Sequence, residues 1–447
     1  MSKSTKEPQK KKVSQLPVIH PKAAGVDVSD IEMVVALPVK GYVEVAAFKC
    51  FTDDLNSLAN LLEENGVDTV AMESTGVYWV SLYEILRDRG IEVFLVNAKH
   101  VKNVTGRKTD EIDAVWIQKL HSCGLLSASF QPENLFRGLR STTRHRKSLV
   151  RTSSTYLNRL QKALEQMNIK VHTVISDIDG KTGKLIIEAI LNGERDPKKL
   201  AMLRDPGIKA SEEDIIKSLE GHWKREHLFE LKQCYELYQF HQSKIKECDE
   251  EIKKQMEGMI ANLNDGELPT IQKSKKRKRQ YKNKISFDMT AYLKELIGVD
   301  LTEITGISEI TALTIISETG TDMSRWPTEH HFTSWLGLAP NTKESGGKII
   351  SSRILKKKQN AGESFRNAAN SLYKNKGPLG NFYRRIKSKA GPGKATVATA
   401  RKMAIIVYKM IKTKTPFKPD ELEKYQQKHK QHIINQLKRR IEILEAA

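Results

Sequence analysis

Short apolar runs with a period near two open the patterned part of the chain. "AAGVDVSDIEMVVALP" and "GYVEVAAFKC" alternate or run apolar as strands do, and a helix-like "FTDDLNSLANLLEENG" follows them. Next come "VDTVAMES", "GVYWVSLYEILRDRG" and "IEVFLVN", in turn strand, helix and strand. Strands first and then alternating helix and strand predict a mixed α/β sheet over residues 21–130.

Between Phe136 and Gly266 the strand signals fade. "LRSTTRHRKSLVRTSSTYLNRLQKALEQM" and "LFELKQCYELYQFHQSKIKECDEEIKKQMEGMI" repeat apolar residues every three or four positions, which predicts long amphipathic helices in a helical or coiled-coil domain over 131–266. Leu228, Leu231, Tyr235, Leu237, Tyr238 and Ile245 fall near one stripe: either a coiled-coil seam or the core face of a helical hairpin. "KSKKRKRQYKNK" (273–284) holds eight Lys/Arg in twelve residues without an acid, so self-repulsion predicts an extended basic linker over 267–288. A mainly helical domain follows over 289–413, and a last helix over 414–447. At the other end, "MSKSTKEPQKKK" lacks apolar periodicity and predicts a disordered basic tail over 1–20.

Composition narrows the chemistry. At 447 residues the chain exceeds what one core supports. Its 75 Lys+Arg against 54 Asp+Glu leave +21, which favours a polyanion, nucleic acid first, over a membrane or a small acid. No stretch approaches the roughly 20 apolar residues of a membrane span, and no apolar segment follows the basic start, so a cytoplasmic, nucleoid-associated protein is expected. Cys50, Cys123, Cys234 and Cys248 form no C-x-x-C pair, so neither disulfides nor structural zinc are expected.

Four acids stand out. Asp27 interrupts the apolar "GVDVS", either as a functional carboxylate or as an edge-strand residue facing water. Glu73 ends "VAMES", where a strand gives way to glycine and helix, the kind of place where α/β sites gather. In "KTDEIDA", Asp110 and Asp113 are spaced i, i+3 on one helix face, either as paired ligands or as an acidic first turn suited to the helix dipole; Glu111 points elsewhere. Together the four fit a site for Mg²⁺, with two such ions able to clamp a transferring phosphoryl group.

These residues resemble a known family. "GVDVS", "MESTGVYW", "NAKHVKNVTGRKTDEIDA", "ITGISEITALTIISETG", "WLGLAP" and "ESGGK" occur in the order and approximate spacing found in transposases of bacterial insertion sequences. Those proteins carry an N-terminal DEDD, RuvC-like (ribonuclease-H-like) domain and a C-terminal transposase domain with a serine, and are of the bridge-RNA-guided recombinase type. The resemblance covers nearly the whole chain. It implies that Asp27, Glu73, Asp110 and Asp113 hold Mg²⁺ and that Ser345 attacks a DNA phosphodiester to form a phosphoserine link. It further implies a structured guide RNA that pairs with donor and target DNA, and a homo-oligomer, dimer or tetramer. Two departures from the pattern matter: Ser308 stands at the second glycine of a helix-hairpin-helix turn, and Ser351 and Ser352 offer hydroxyl groups close to Ser345, whose Ser-Gly context is the one that matches.

Basic residues suggest where nucleic acid binds. Arg137, Arg140, Arg144, His145, Arg146, Lys147 and Arg151 share a helical stretch without an acid, which predicts salt-dependent phosphate contacts unless the helix is ion-paired within the fold. Lys348 and Arg353 flank Ser345 and are expected to join them. Trp326, Phe332, Trp335 and Tyr383 are expected in the core. The alternative activity is a Holliday-junction-type Mg²⁺-dependent nuclease that uses water, and a non-catalytic RNA-binding protein is the alternative from another class.

Overall fold

A computed structural model describes residues 17–97, 110–263, 283–355, 357 and 359–419, with isolated positions between 427 and 438. Most of the expected basic tail, basic linker and final helix lies outside the described residues. The chain divides into two compact units, residues 1–131 and 132–447.

The first unit is a mixed sheet with helices on both faces. Its strands are β1 (Ala23–Val28), β2 (Glu32–Val39), β3 (Tyr42–Lys49), β4 (Thr69–Glu73) and β5 (Glu92–Val96), in the order β3-β2-β1-β4-β5. β1 to β3 form an antiparallel meander, whereas β4 and β5 run parallel to β1 through crossovers. Strand alternation sends Ala24, Val26 and Val28 of β1 to the face covered by α1 (Thr52–Glu64) and α2 (Trp79–Asp88). Leu58, Leu62, Leu82 and Leu86 of those helices are fully buried there, each contributing about 1.5–3 kcal/mol.

The opposite face receives α3 (Asp110–Ser122). Gly25 sets how closely it packs: a Cβ on Gly25 would lie 2.2 Å from the Gln118 amide nitrogen and 2.5 Å from the Ala114 carbonyl oxygen. Only glycine admits the helix backbone so near the strand. Gln118 Nε2 donates to the Ala23 carbonyl at 3.1 Å, and His121 Nε2 meets Thr69 Oγ1 at 2.9 Å. From His121 back to Ala114, the helix therefore runs antiparallel to β1, with its first turn over the C-terminal ends of β1 and β4.

The second unit is helical. α4 (Asn134–Gln166) lies antiparallel to the longest described helix. After shorter helices that include α5 (Lys181–Leu191) and α6 (Glu212–Leu219) comes that partner, α7 (Arg225–Leu263). Hydrogen bonds from Gln255 to Thr142 and from Gln242 to Ser153 fix the register. The stripe on α7 is a core face within this chain: Leu231 and Tyr235 are buried with Leu160 and Leu164 of α4 and Ile186 of α5. Leu237 departs from the expectation. It lies off that face, 38% exposed.

α8 (Met289–Ile297), α9 (Glu309–Thr319) and α10 (Glu329–Trp335) follow, then a hairpin of β6 (Lys343–Ser345) and β7 (Lys348–Ser351). α11 (Asn360–Asn370), α12 (Pro378–Ala390) and α13 (Pro392–Thr413) complete the described elements. Residues 131–266 and 289–413, expected as separate domains, share one compact unit here. The two segments also meet through ion pairs: α4 reaches α9 through Arg140 and Arg144 on Glu318, and α11 through Lys147 on Glu363.

Candidate functional site

Asp27 occupies the central strand rather than an edge, and its side chain is half-buried. β1 and β4 pair in register from Ala23 opposite Thr69 to Val26 opposite Met72, so the next step along both strands places Asp27 beside Glu73. Both residues point to the face that carries α3, as Gly25 and Ala71 do two positions earlier. The close packing at Gly25 brings the first turn of α3, with Asp110 and Asp113, over the same end of the sheet. Glu111 is exposed.

Electrostatics records the convergence. Burial, followed by the negative charges of Asp110, Asp113 and Glu73, raises Asp27 from the usual 3.8 to about 6. Glu73 is buried and accepts a 2.8 Å hydrogen bond from Thr75 Oγ1, which fixes one carboxylate oxygen. Among the described residues no three carboxylate, imidazole or thiol groups stand close enough to count as a preformed ligand cluster. The donor set nevertheless fits a hard divalent cation: four carboxylates, no sulfur, and mutual repulsion that a cation would relieve.

In the second unit, Ser345 ends β6 and Lys348 begins β7, directly opposite each other across a two-residue turn. Gly346 and Gly347 have φ of +56° and +72°, with nothing within 4 Å of a Cβ on either. Backbone sign, not space, requires glycine here, as in a type I′ hairpin. Ser345 is exposed, and cross-strand pairing puts the Lys348 stem within about 5 Å of its Cβ. Glu344 alternates to the other side of the strand. Ser351 lies farther along β7, where its hydroxyl accepts a weak 3.4 Å hydrogen bond from the Arg353 amide. Ser308 caps α9, its hydroxyl accepting from the Thr311 amide.

The basic stretch on α4 takes a different form from the expectation. Arg146 is buried and paired with Asp249, with a further 3.0 Å hydrogen bond to the Asn283 carbonyl, so it has no route to a phosphate. Arg144 grips Glu318 with two hydrogen bonds of 2.7 and 2.8 Å, and Arg140 meets the same carboxylate at 3.0 Å. Burial would raise Glu318, yet these guanidinium groups and Asn360 hold it below the usual carboxylate range. Lys147 pairs with Glu363 at 2.7 Å, and Arg137 bonds to Asn134. His145 and Arg151 are exposed. The acidic partners of Arg140, Arg144, Arg146 and Lys147 sit more than 100 residues away, where local charge counting does not reach. Trp326 and Phe332 are packed with Trp335 and Tyr408, and Tyr383 is buried.

Comparison with known families matches both halves of this description. Residues 24–169 match a DEDD model of the IS110 type described as "Transposase", and residues 300–384 match the model "Transposase IS116/IS110/IS902 family". No curated protein gives a significant match. The first match contains all four carboxylates and the second contains Ser345. Two matches in chain order, the first covering most of the sheet unit and the start of the helical one and the second lying within the helical unit, support the chain as an insertion-sequence transposase of the IS110/IS116/IS902 type, with DNA as its substrate.

Proposed function

We propose that the protein cuts and rejoins DNA through a phosphoserine intermediate, with Mg²⁺ held by Asp27, Glu73, Asp110 and Asp113. The observation that carries this reading is the meeting of those carboxylates over one end of the sheet, where burial first and then the charges of the other three raise Asp27 to about 6. The strand order β3-β2-β1-β4-β5, three antiparallel strands and then two parallel ones, supports a ribonuclease-H-like domain beneath them. Mg²⁺, as one or two ions, supplies Lewis acidity at the phosphodiester oxygens. The chain's own groups do the rest. Ser345 Oγ forms a bond to phosphorus while the bond from phosphorus to a deoxyribose oxygen breaks. The proton lost by the serine is balanced by the one the leaving hydroxyl gains. A second DNA hydroxyl then reverses the step, so no external energy is consumed. Lys348, opposite Ser345, suits the approach of a phosphate, and Arg353 adds charge nearby.

A structured guide RNA and a homo-oligomer belong to the same reading, both resting on the family resemblance, and a net charge of +21 suits the RNA. The test is strand cleavage by single alanine substitutions. Asp27→Ala, Glu73→Ala, Asp110→Ala and Asp113→Ala should each abolish cleavage with nucleic-acid binding retained, and Glu111→Ala should cut. Equal loss from Glu111→Ala, or cutting by the other four, overturns the cation site.

A further inference from the structure

From Ser364 to Pro419 the chain holds fourteen Lys/Arg and no Asp or Glu. On α4 Arg140, Arg144, Arg146 and Lys147 find acids elsewhere in the unit; here several basic side chains do not. Arg384 is used internally, donating to the Tyr373 and Asn375 carbonyls, and Lys409 faces Glu329 at 3.7 Å. Lys414 reaches the Ile297 carbonyl. Arg385, Lys387, Lys389 and Lys394 have no acidic partner among the described residues.

Arg385 and Lys389, four residues apart, share one face of the first helix of a helical hairpin, and Lys387 lies off that face. α12 and α13 are joined at Gly391, whose φ of +84° turns the chain between them. Across the hairpin, Phe382 lies between two cations, with the Arg385 guanidinium 5.2 Å and the Lys402 ammonium 4.9 Å from its ring centre. Phe382, Arg385 and Lys389 follow an i, i+3, i+7 stripe on α12, and Lys394 and Lys402 stand eight apart on α13. The stripes run side by side toward the turn, where Lys389 and Lys394 are exposed. Burial and the neighbouring Arg385 both push Lys402 down, so the like charges repel each other. A ridge of cations in which Arg385, Lys389 and Lys394 have no acidic partner among the described residues matches a rigid polyanion.

We propose that the α12–α13 hairpin, through Arg385, Lys389, Lys394 and Lys402, grips the phosphate backbone of double-stranded DNA. This rests on the reading of the protein as a DNA transposase, whose duplex substrate must be held by the unit that carries Ser345. The contacts are to phosphate and carry no sequence preference.

The test is the salt dependence of binding to a short DNA duplex, measured beside an RNA hairpin of equal length. Changing all four residues to Gln should flatten the slope of log K against log salt by about 3–4 units, at roughly 0.9 per lost contact. Changing only the exposed Lys389 and Lys394 should flatten it by about 1.8 units, without touching the packing around Phe382. Equal charge removal at Lys217, Lys232, Lys246 and Lys254 should leave the slope unchanged. An unaltered slope in both hairpin variants, an equal effect in the control, or a loss confined to RNA overturns the assignment. Absence of DNA binding by the wild-type protein would instead overturn the transposase reading beneath it.

Discussion

Gly25→Ala tests how the fold builds its carboxylate cluster. The added Cβ would stand 2.2 Å from the Gln118 nitrogen and 2.5 Å from the Ala114 oxygen, both backbone atoms that no rotamer change can move aside. Restoring an ordinary contact of roughly 3.4 Å opens the gap between β1 and α3 by about 1.2 Å. Overpacking of this kind costs about 1–3 kcal/mol, or about 4–15 °C in the melting temperature of a domain this size. Function should suffer more, because α3 carries Asp110 and Asp113, and a displacement near 1 Å costs on the order of 100-fold in rate. Gly138→Ala is the control: this helical glycine has nothing within 4 Å of its Cβ, and alanine should be neutral or slightly stabilising. Thermal unfolding and strand cleavage are measured on both. A Gly25→Ala protein that melts and cuts like wild type would refute the claim that close packing at Gly25 places the carboxylates.

The proton on Asp27 predicts two pH effects. Its folded value of about 6 exceeds the ordinary 3.8, so its contribution to stability is present below about 4 and lost as pH rises through 6. Mg²⁺ or Mn²⁺ must displace that proton, so affinity should climb with pH to about 6 and level off above; calorimetry showing a flat affinity across that range would contradict it. Arg146→Met strands Asp249 in the core and should cost about 3–5 kcal/mol, with most of it recovered in Arg146→Met/Asp249→Leu; additive losses in denaturant unfolding would count against a buried pair. Arg144→Ala should leave the salt slope of nucleic-acid binding unchanged, because this side chain serves Glu318; a drop of about 0.9, that of one lost phosphate contact, would return it to the phosphate surface.

What the sequence disclosed follows from the range of the interactions involved. Strand alternation and helical spacing are local, and so β1 to β5, α4 and α7 could be read directly. The i, i+3 spacing of Asp110 and Asp113 is local too. That Asp27 lies in the central strand depends on sheet order, which no single strand reveals. The helix with Arg140, Arg144 and Arg146 looked like a phosphate surface because its partners, Glu318 and Asp249, lie far along the chain. Conversely, the acid-free stretch from Ser364 to Pro419 was visible in the residue order, but the meeting of Arg385 and Lys402 at Phe382 needed the hairpin. "SGGK" marks a turn in sequence; only the paired strands place Lys348 opposite Ser345.

Ser345 separates a transposase that works through a covalent intermediate from a nuclease that uses water, so the most direct measurement is of the bond it would form. The protein, stopped during reaction with Mg²⁺ and its nucleic acids, is digested, and the peptide spanning β6 and β7 is analysed by mass spectrometry. The account predicts a deoxynucleotide phosphate on Ser345, absent from Ser345→Ala, which should still bind DNA. DNA on Ser351 or Ser352, or normal cutting and rejoining by Ser345→Ala, would contradict it and leave this serine an ordinary hairpin residue.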